Sequence, residues 1–312
     1  MKTFIQATEI WAPSRDRNIL EYHAGLFGPH HAFRTATQKM CFGYDEGLPG
    51  KAWASRRPII LNDLQSPLFR RRDAARTAGL TCGVAIPVFA GDMLLAVLVF
   101  FCGDDNDHVG AIELWHNDPA QSADMGLEDG YFGIADGFKW VAQHTRFANG
   151  FGLPGTVWKS GMPEIMDDLG HANRFVRRDD ARRIGVNKGL GIPSPYAGDQ
   201  NYVIAFLSAL GTPIARRFEI WVPDDKGAAL RFETGQCDNT PDLASDYHGV
   251  VFERGGGVLG KVWHTGLPAI DEFIASEGSA VGASALKANL SSMVALPVLE
   301  DGRIKAVVAM YF

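Results

Sequence analysis

Three tryptophans, Trp53, Trp158 and Trp263, stand at two equal steps of 105 residues along a chain of 312. Each closes a short motif: GLPGKAW from Gly47, GLPGTVW from Gly152 and VLGKVW from Val258. Upstream of each lies a second landmark, Glu9-Ile10-Trp11, Glu113-Leu114-Trp115 and Glu219-Ile220-Trp221. Downstream lies a third, Ile86-Pro87, Ile192-Pro193 and Leu296-Pro297. Ordered landmarks recurring at one period mean that one supersecondary unit is used three times in tandem. The spacing divides the chain into residues 1–105, 106–211 and 212–312, with almost no insertions.

The first unit opens with a segment, Thr3 to Trp11, whose alternation predicts a strand, and Asn18 to Gly25 reads as its hairpin partner across a Ser-Arg-Asp-Arg turn. The glycines and proline of Gly47-Leu48-Pro49-Gly50 set up a tight start for a short helix that ends near Arg56-Arg57-Pro58. Ile59 to Leu61 makes a short strand, and Phe69 to Ala78 a helix stopping at Gly79. Gly83 to Phe89 and Met93 to Phe101 are apolar strands joined at Ala90-Gly91-Asp92, a turn matched by Ala197-Gly198-Asp199 and Glu300-Asp301-Gly302.

This order of motifs resembles the GAF domain: a G-LPG-x-x-W helix start, a residue plus proline (Arg57-Pro58, Met162-Pro163, Leu267-Pro268), an apolar strand ending in Asp, then A-x-x-x-G-L before a V-A-I-P-V strand. The first unit matches over nearly its whole length. The third matches in Gly257 to Trp263 and Leu290 to Phe312, and the second departs at Asn187-Lys188-Gly189, where the other copies have Thr81-Cys82 and Ser291-Ser292. The resemblance implies an α+β fold (an α/β sandwich) in each repeat, a central antiparallel sheet with helices and loops on one face covering a small-molecule pocket.

GAF domains usually carry long flanking helices, yet Phe101 passes through Cys102-Gly103-Asp104-Asp105 almost directly to Ile112. Leu94 to Phe101 is nonetheless apolar at nearly every position, the pattern of a strand buried on both faces. The sheet backs are therefore expected to pack against another repeat or a second chain, with Trp11, Trp115 and Trp221 as contact residues. Such short links also allow the last strand of one repeat to pair with the first of the next, a shared-strand layout that would bring Ala306–Phe312 beside Phe4–Trp11.

The candidate ligand-binding residues are Trp53, Trp158 and Trp263 as aromatic lids, against plain core packing, and Asp63, Asp168 and Asp271 at strand ends, against turn or cap roles. Phe69 opens the helix beside them. Thr81 and Cys82, with Lys188 and Ser292 in the other copies, point by resemblance towards the pocket. A buried Lys188 would have to reach solvent or meet an anion.

The four cysteines, Cys41, Cys82, Cys102 and Cys237, show neither CxxC spacing nor a companion His pair, which predicts reduced thiols and no metal site. None is followed by the histidine that bilin-binding GAF domains commonly place there. His23 and the His30-His31 pair read as surface, and no cyclic-nucleotide signature, nucleophile elbow or P-loop appears. A net charge of −6 argues against general nucleic-acid affinity, and Arg70-Arg71-Arg72 reads as a solvated helix start. No run approaches a membrane span and no signal-peptide pattern opens the chain, so a cytoplasmic location is expected.

Two function classes follow. One is a sensory protein binding a small molecule and acting through an effector partner or a homo-oligomer, since no effector segment follows Phe312. The other is a thiol-dependent enzyme resembling GAF-type methionine sulfoxide reductases, which would draw on Cys41, Cys82 and Cys102. No cofactor is named by any motif.

Overall fold

The computed structural model describes residues 3–103, 108–194, 198–240 and 242–312, so Asp104, Asp105 and Ala197 of the links and turns above lie outside the described residues. The chain forms two compact units, Met1–Ile214 and Ala215–Phe312.

The first unit holds two six-stranded sheets. The first sheet is made of β1 (Ile5–Pro13), β2 (Ile19–Leu26), β3 (Cys41–Gly43), β4 (Ile59–Leu61), β5 (Leu80–Ala90) and β6 (Met93–Gly103), with α1 (His31–Thr37), α2 (Gly47–Ser55) and α3 (Arg72–Thr77). The second is made of β7 (Gly110–Asn117), β8 (Asp124–Tyr131), β9 (Arg146–Ala148), β10 (Glu164–Met166), β11 (Val186–Ser194) and β12 (Asn201–Ala209), with α4 (Asp136–His144), α5 (Gly152–Ser160) and α6 (Arg178–Ile184). The second unit repeats the plan with β13 (Arg217–Pro223), β14 (Leu230–Cys237), β15 (Val251–Phe252), β16 (Ala269–Asp271), β17 (Met293–Glu300) and β18 (Arg303–Tyr311), with α7 (Leu243–Asp246), α8 (Gly257–Thr265) and α9 (Ala280–Lys287).

The strand order β3-β2-β1-β6-β5-β4 recurs in all three sheets, and the pairings are antiparallel. The first strand of each copy lies beside its own last strand, so the shared-strand layout does not form: each sheet closes on its own six strands. No described helix is long and apolar enough to cross a membrane.

The repeated glycines explain the helix starts. Gly47, Gly152 and Gly257 have φ of 59°, 67° and 57°, a left-handed turn that glycine adopts without strain. Three residues on, a Cβ at Gly50, Gly155 or Gly260 would stand 2.2 to 2.3 Å from the carbonyl oxygen of Gly43, Ala148 or Glu253. The motif is thus a backbone-to-backbone clasp, closed by Asp45 N to Gly50 O (3.0 Å) and its equivalents from Gly150 (2.7 Å) and Gly255 (2.8 Å).

The back of the first sheet is covered as the apolar β6 strand demands. Phe100 meets Phe206 of the second sheet edge-to-face, ring centroids 5.7 Å apart. Around that contact Asn62 donates to Asp129 (3.1 Å), Arg57 pairs with Glu128 (3.4 Å), and the Tyr131 hydroxyl reaches Thr81 and the Gly103 carbonyl, both at 3.3 Å. Burial holds the Asp129 carboxyl above its ordinary value against the hydrogen bonds from Gly130 and Asn62. Repeats one and two therefore pack through their backs, but Trp11 and Trp115 are not the contact residues. Both face their own helices, fully buried in separate cores, as Trp221 is in the third copy.

Candidate functional site

In each repeat the first strand carries one acidic residue in an apolar run, two residues before its tryptophan. Residues two apart share a face of a strand, so Glu9, Glu113 and Glu219 point with Trp11, Trp115 and Trp221 into the space between sheet and helices. A bulge lies between Ile10 and Trp11, and again at Leu114/Trp115 and Ile220/Trp221. All three carboxylates are fully buried, and each accepts the indole N–H of its tryptophan, at 2.9, 3.0 and 2.9 Å.

A buried carboxylate requires a partner. In repeat one it is Arg71, whose two terminal nitrogens pair with Glu9, one of them at 3.0 Å, while Thr37 donates to the same carboxylate at 2.7 Å. In repeat two Arg177 grips Glu113 with both nitrogens, at 2.6 and 2.7 Å. Both arginines sit immediately before their helix with non-helical dihedrals. The helix expected over Phe69–Ala78 is therefore shorter, because the chain turns at Phe69–Arg71 to send Arg71 inward. Arg71 is not part of a solvated helix start: its side chain is 3% exposed. Aromatic faces surround both guanidinium groups, Phe33, Phe69, Phe101 and Trp11 at 4.7 to 5.6 Å from Arg71, and Phe138, Trp115 and Phe175 at 4.6 to 5.4 Å from Arg177.

Repeat three builds the same pair from other residues. Arg71 and Arg177 stand four residues before the buried Ala75 and Ala181, and the matching position before Ala285 is Val281. The guanidinium comes instead from Arg217, two residues before Glu219, where repeats one and two have Ala7 and Ala111. Arg217 reaches Glu219 (3.4 Å), Tyr247 (3.1 Å) and Ser284 (3.1 Å), and Tyr247 and Tyr311 each donate to Glu219 at 2.7 Å. Burial holds the Glu219 carboxyl above its usual value despite these donors, and both phenols are raised, first by burial and then by Glu219. In all three copies the third guanidinium nitrogen, Nε of Arg71, Arg177 and Arg217, is buried with no hydrogen-bond partner among the described residues.

Residues 10–115 match the family model of the GAF domain. The chain carries a GAF domain. Its fold is similar to the A. aeolicus Nlh2 GAF domain (20% identity, TM-score 0.26, covering 32% of this chain and 58% of that one). It is also similar to an S. aureus NreA protein mutated in its nitrate binding site (14%, 0.27, 32% and 74%). A third likeness is to the GAF domain of a C. burnetii phosphoenolpyruvate-protein phosphotransferase (20%, 0.26, 31% and 56%). The chain thus spans a little over half of the first of these. No curated protein matches it.

Within the GAF domain and its two companions the sequence candidates scatter. Phe69 lies in the aromatic ring around Arg71. Trp53 and Trp158 are half-buried against their cores, and Trp263 is fully buried with Arg254 over its ring at 4.3 Å. Asp63 and Asp271 close local turns, accepting the backbone N–H of Gln65 and Phe273 at 2.7 Å, and Asp168 meets His171 at 2.8 Å on the surface. The three aspartates are not equivalent: Asp271 ends β16 at the position of Leu61, opposite Met293 as Leu61 is opposite Gly83.

A Cβ on Gly83 or Gly189 would strike Leu48 or Leu153 on the helix side, so Cys82 and Lys188, one residue earlier, face the other way. Thr81 meets Tyr131 of repeat two, and the Ser292 carbonyl accepts from Phe312 N at 3.0 Å. Of the thiols proposed for enzymatic work, Cys41 is exposed on β3, while Cys82 and Cys102 are buried cross-strand partners on the sheet back. These three do not gather around one pocket on the helix side.

The buried glutamates and arginines are not among the sequence candidates. Their signal was present: Phe69-Arg70-Arg71 and Phe175-Val176-Arg177 recur at a step of 106, beside a Glu-x-Trp that is itself repeated.

Proposed function

We propose that this GAF protein binds a small molecule between the sheet and helices of its first two repeats and passes the change on to an effector protein or a second copy of itself. In this reading residues 1–105, 106–211 and 212–312 are three modules of one sensor. The observation that carries the proposal is the unpaired Nε of Arg71 and of Arg177, a donor buried between sheet and helices in each repeat. A buried donor without an acceptor costs about 1–3 kcal/mol, and a ligand oxygen would remove that cost. Because Glu9 and Glu113 already balance the charge, the chemistry favoured is a neutral or weakly charged acceptor on a small flat body that stacks on Phe33 and Phe69, or on Phe138 and Phe175. Trp53 and Trp158, half-buried on α2 and α5, are the proposed lids.

The test is native mass spectrometry of the purified chain, followed by thermal shifts against small amides, carboxylates and oxyanions. A retained or stabilising compound whose effect disappears in Arg177→Lys, which keeps charge but has no Nε, supports the reading. No retained mass and no shift in the wild-type chain would overturn it.

A further inference from the structure

Repeat three differs from its neighbours in more than the origin of its arginine. The strand register places Cys237 directly opposite Arg217 on β14 and β13. The paired residues one step along are Thr8 and Leu26, Ile112 and Tyr131, and Phe218 and Gln236, so the first two repeats have Phe27 and Phe132 where the third has Cys237. An alanine and a phenylalanine are thereby exchanged for an arginine and a cysteine.

The exchange sets a thiol, 8% exposed, against a fully buried guanidinium. The other neighbours of that guanidinium are Glu219, Tyr247, Ser284 and Thr240, the last accepting from Nη2 at 3.5 Å. Its Nε has no hydrogen-bond partner among the described residues. Burial resists ionisation of Cys237, but the hydrogen bond and charge of Arg217, with the Asn239 N–H and Thr240, prevail and bring the thiol below its ordinary value. Among the described residues, no ion pair or hydrogen bond joins Cys41, exposed on β3, to a cation.

We propose that Cys237 is an oxidisable thiol, which a small hydroperoxide converts to a sulfenic acid against Arg217. The sulfur attacks one peroxide oxygen, forming an S–O bond as the O–O bond breaks. Sulfur is oxidised by two electrons, the peroxide is reduced, and the leaving hydroxide, or alkoxide from an organic hydroperoxide, takes a proton from solvent to become water or the alcohol. The new oxygen supplies the acceptor that Arg217 Nε lacks, on the guanidinium whose Nη1 already meets Glu219. Nothing in this depends on a ligand in repeats one and two.

The experiment alkylates the intact folded chain with a small thiolate-selective reagent from pH 5 to 10 and reads each cysteine by peptide mass spectrometry, Cys41 serving as the exposed reference and Cys237→Ser confirming the assignment. The midpoint for Cys237 is expected below that of the same cysteine in the urea-unfolded chain, and dilute hydrogen peroxide followed by dimedone is expected to tag Cys237 ahead of Cys82 and Cys102. Arg217→Lys, if folded, is expected to leave the tag but move the midpoint. A midpoint for Cys237 at or above that in the unfolded chain, or no dimedone tag under conditions that tag Cys41, would overturn the proposal.

Discussion

Replacing Arg177 by methionine tests the buried pair most directly. Methionine fills much of the space beneath Phe138 and Phe175, so the change removes charge and two hydrogen bonds of 2.6 and 2.7 Å more than it removes volume. What remains is Glu113, fully buried, accepting from the Trp115 N–H at 3.0 Å. Breaking a buried pair from one side costs about 3–5 kcal/mol, because the remaining charge is left uncompensated. At about 2–4 °C per kcal/mol for a unit of roughly this size, Tm of the first unit should fall by about 6–20 °C. The double variant Arg177→Met with Glu113→Leu leaves no charge behind, and replacing both partners by apolar groups is often close to neutral. It should therefore recover most of the loss in urea melts of the full chain. If the double variant were as unstable as the single one, or if the single variant lost under about 1 kcal/mol, the account of a mutually dependent buried pair would be wrong.

Four further outcomes follow from particular residues. Gly155→Ala should cost well over ~3 kcal/mol or prevent folding, since its Cβ would lie 2.2 Å from the Ala148 carbonyl oxygen. Gly137→Ala, on α4 with nothing within 4 Å, should stabilise by about 0.5–1 kcal/mol, and urea midpoints compare the two. Tyr131→Phe should lose about 1 kcal/mol by removing the hydroxyl that joins Thr81 and the Gly103 carbonyl across the two sheet backs, read in the same melts. Glu219 fixes a pH dependence: a carboxyl held above its ordinary value of 4.5 when folded contributes fully below that value and loses its contribution as pH rises through the folded one. Stability of Ala215–Phe312 should accordingly decline as pH rises above 4.5, and Glu219→Gln should flatten that part of the curve.

The repeats, the antiparallel sheets and the place of the GLPG turns were legible because glycine spacing and strand alternation are local properties. The interior was less so. Arg71 sits between two other arginines, and a helical reading gives all three to solvent; only the break in helical dihedrals at that residue turns it inward. The sequence expectation places the tryptophans of the Glu-x-Trp segments on the wrong face of the sheet, because an apolar strand buried on both sides does not say which side holds the indole. In repeat three the arginine changed elements, from a helix start to β13, so comparison by position alone shows a loss where the space shows a replacement. Asp63 and Asp271 look equivalent in sequence for the opposite reason: each stands just past a short apolar run, but the strand register separates them by two places.

Three near-copies in one chain invite misassembly, since a helix segment from one copy can meet the sheet of another while the chain is still collapsing. The different wiring of the buried pair discriminates against this in repeat three. An Arg71 or Arg177 segment laid on that sheet would bring a second guanidinium to a single carboxylate and bury an uncompensated positive charge. An α9 segment laid on either of the other sheets would bring Val281 and leave Glu9 or Glu113 bare. The salt bridge that closes each core therefore also acts as an address, and it is costly to deliver a strand or helix to the wrong one.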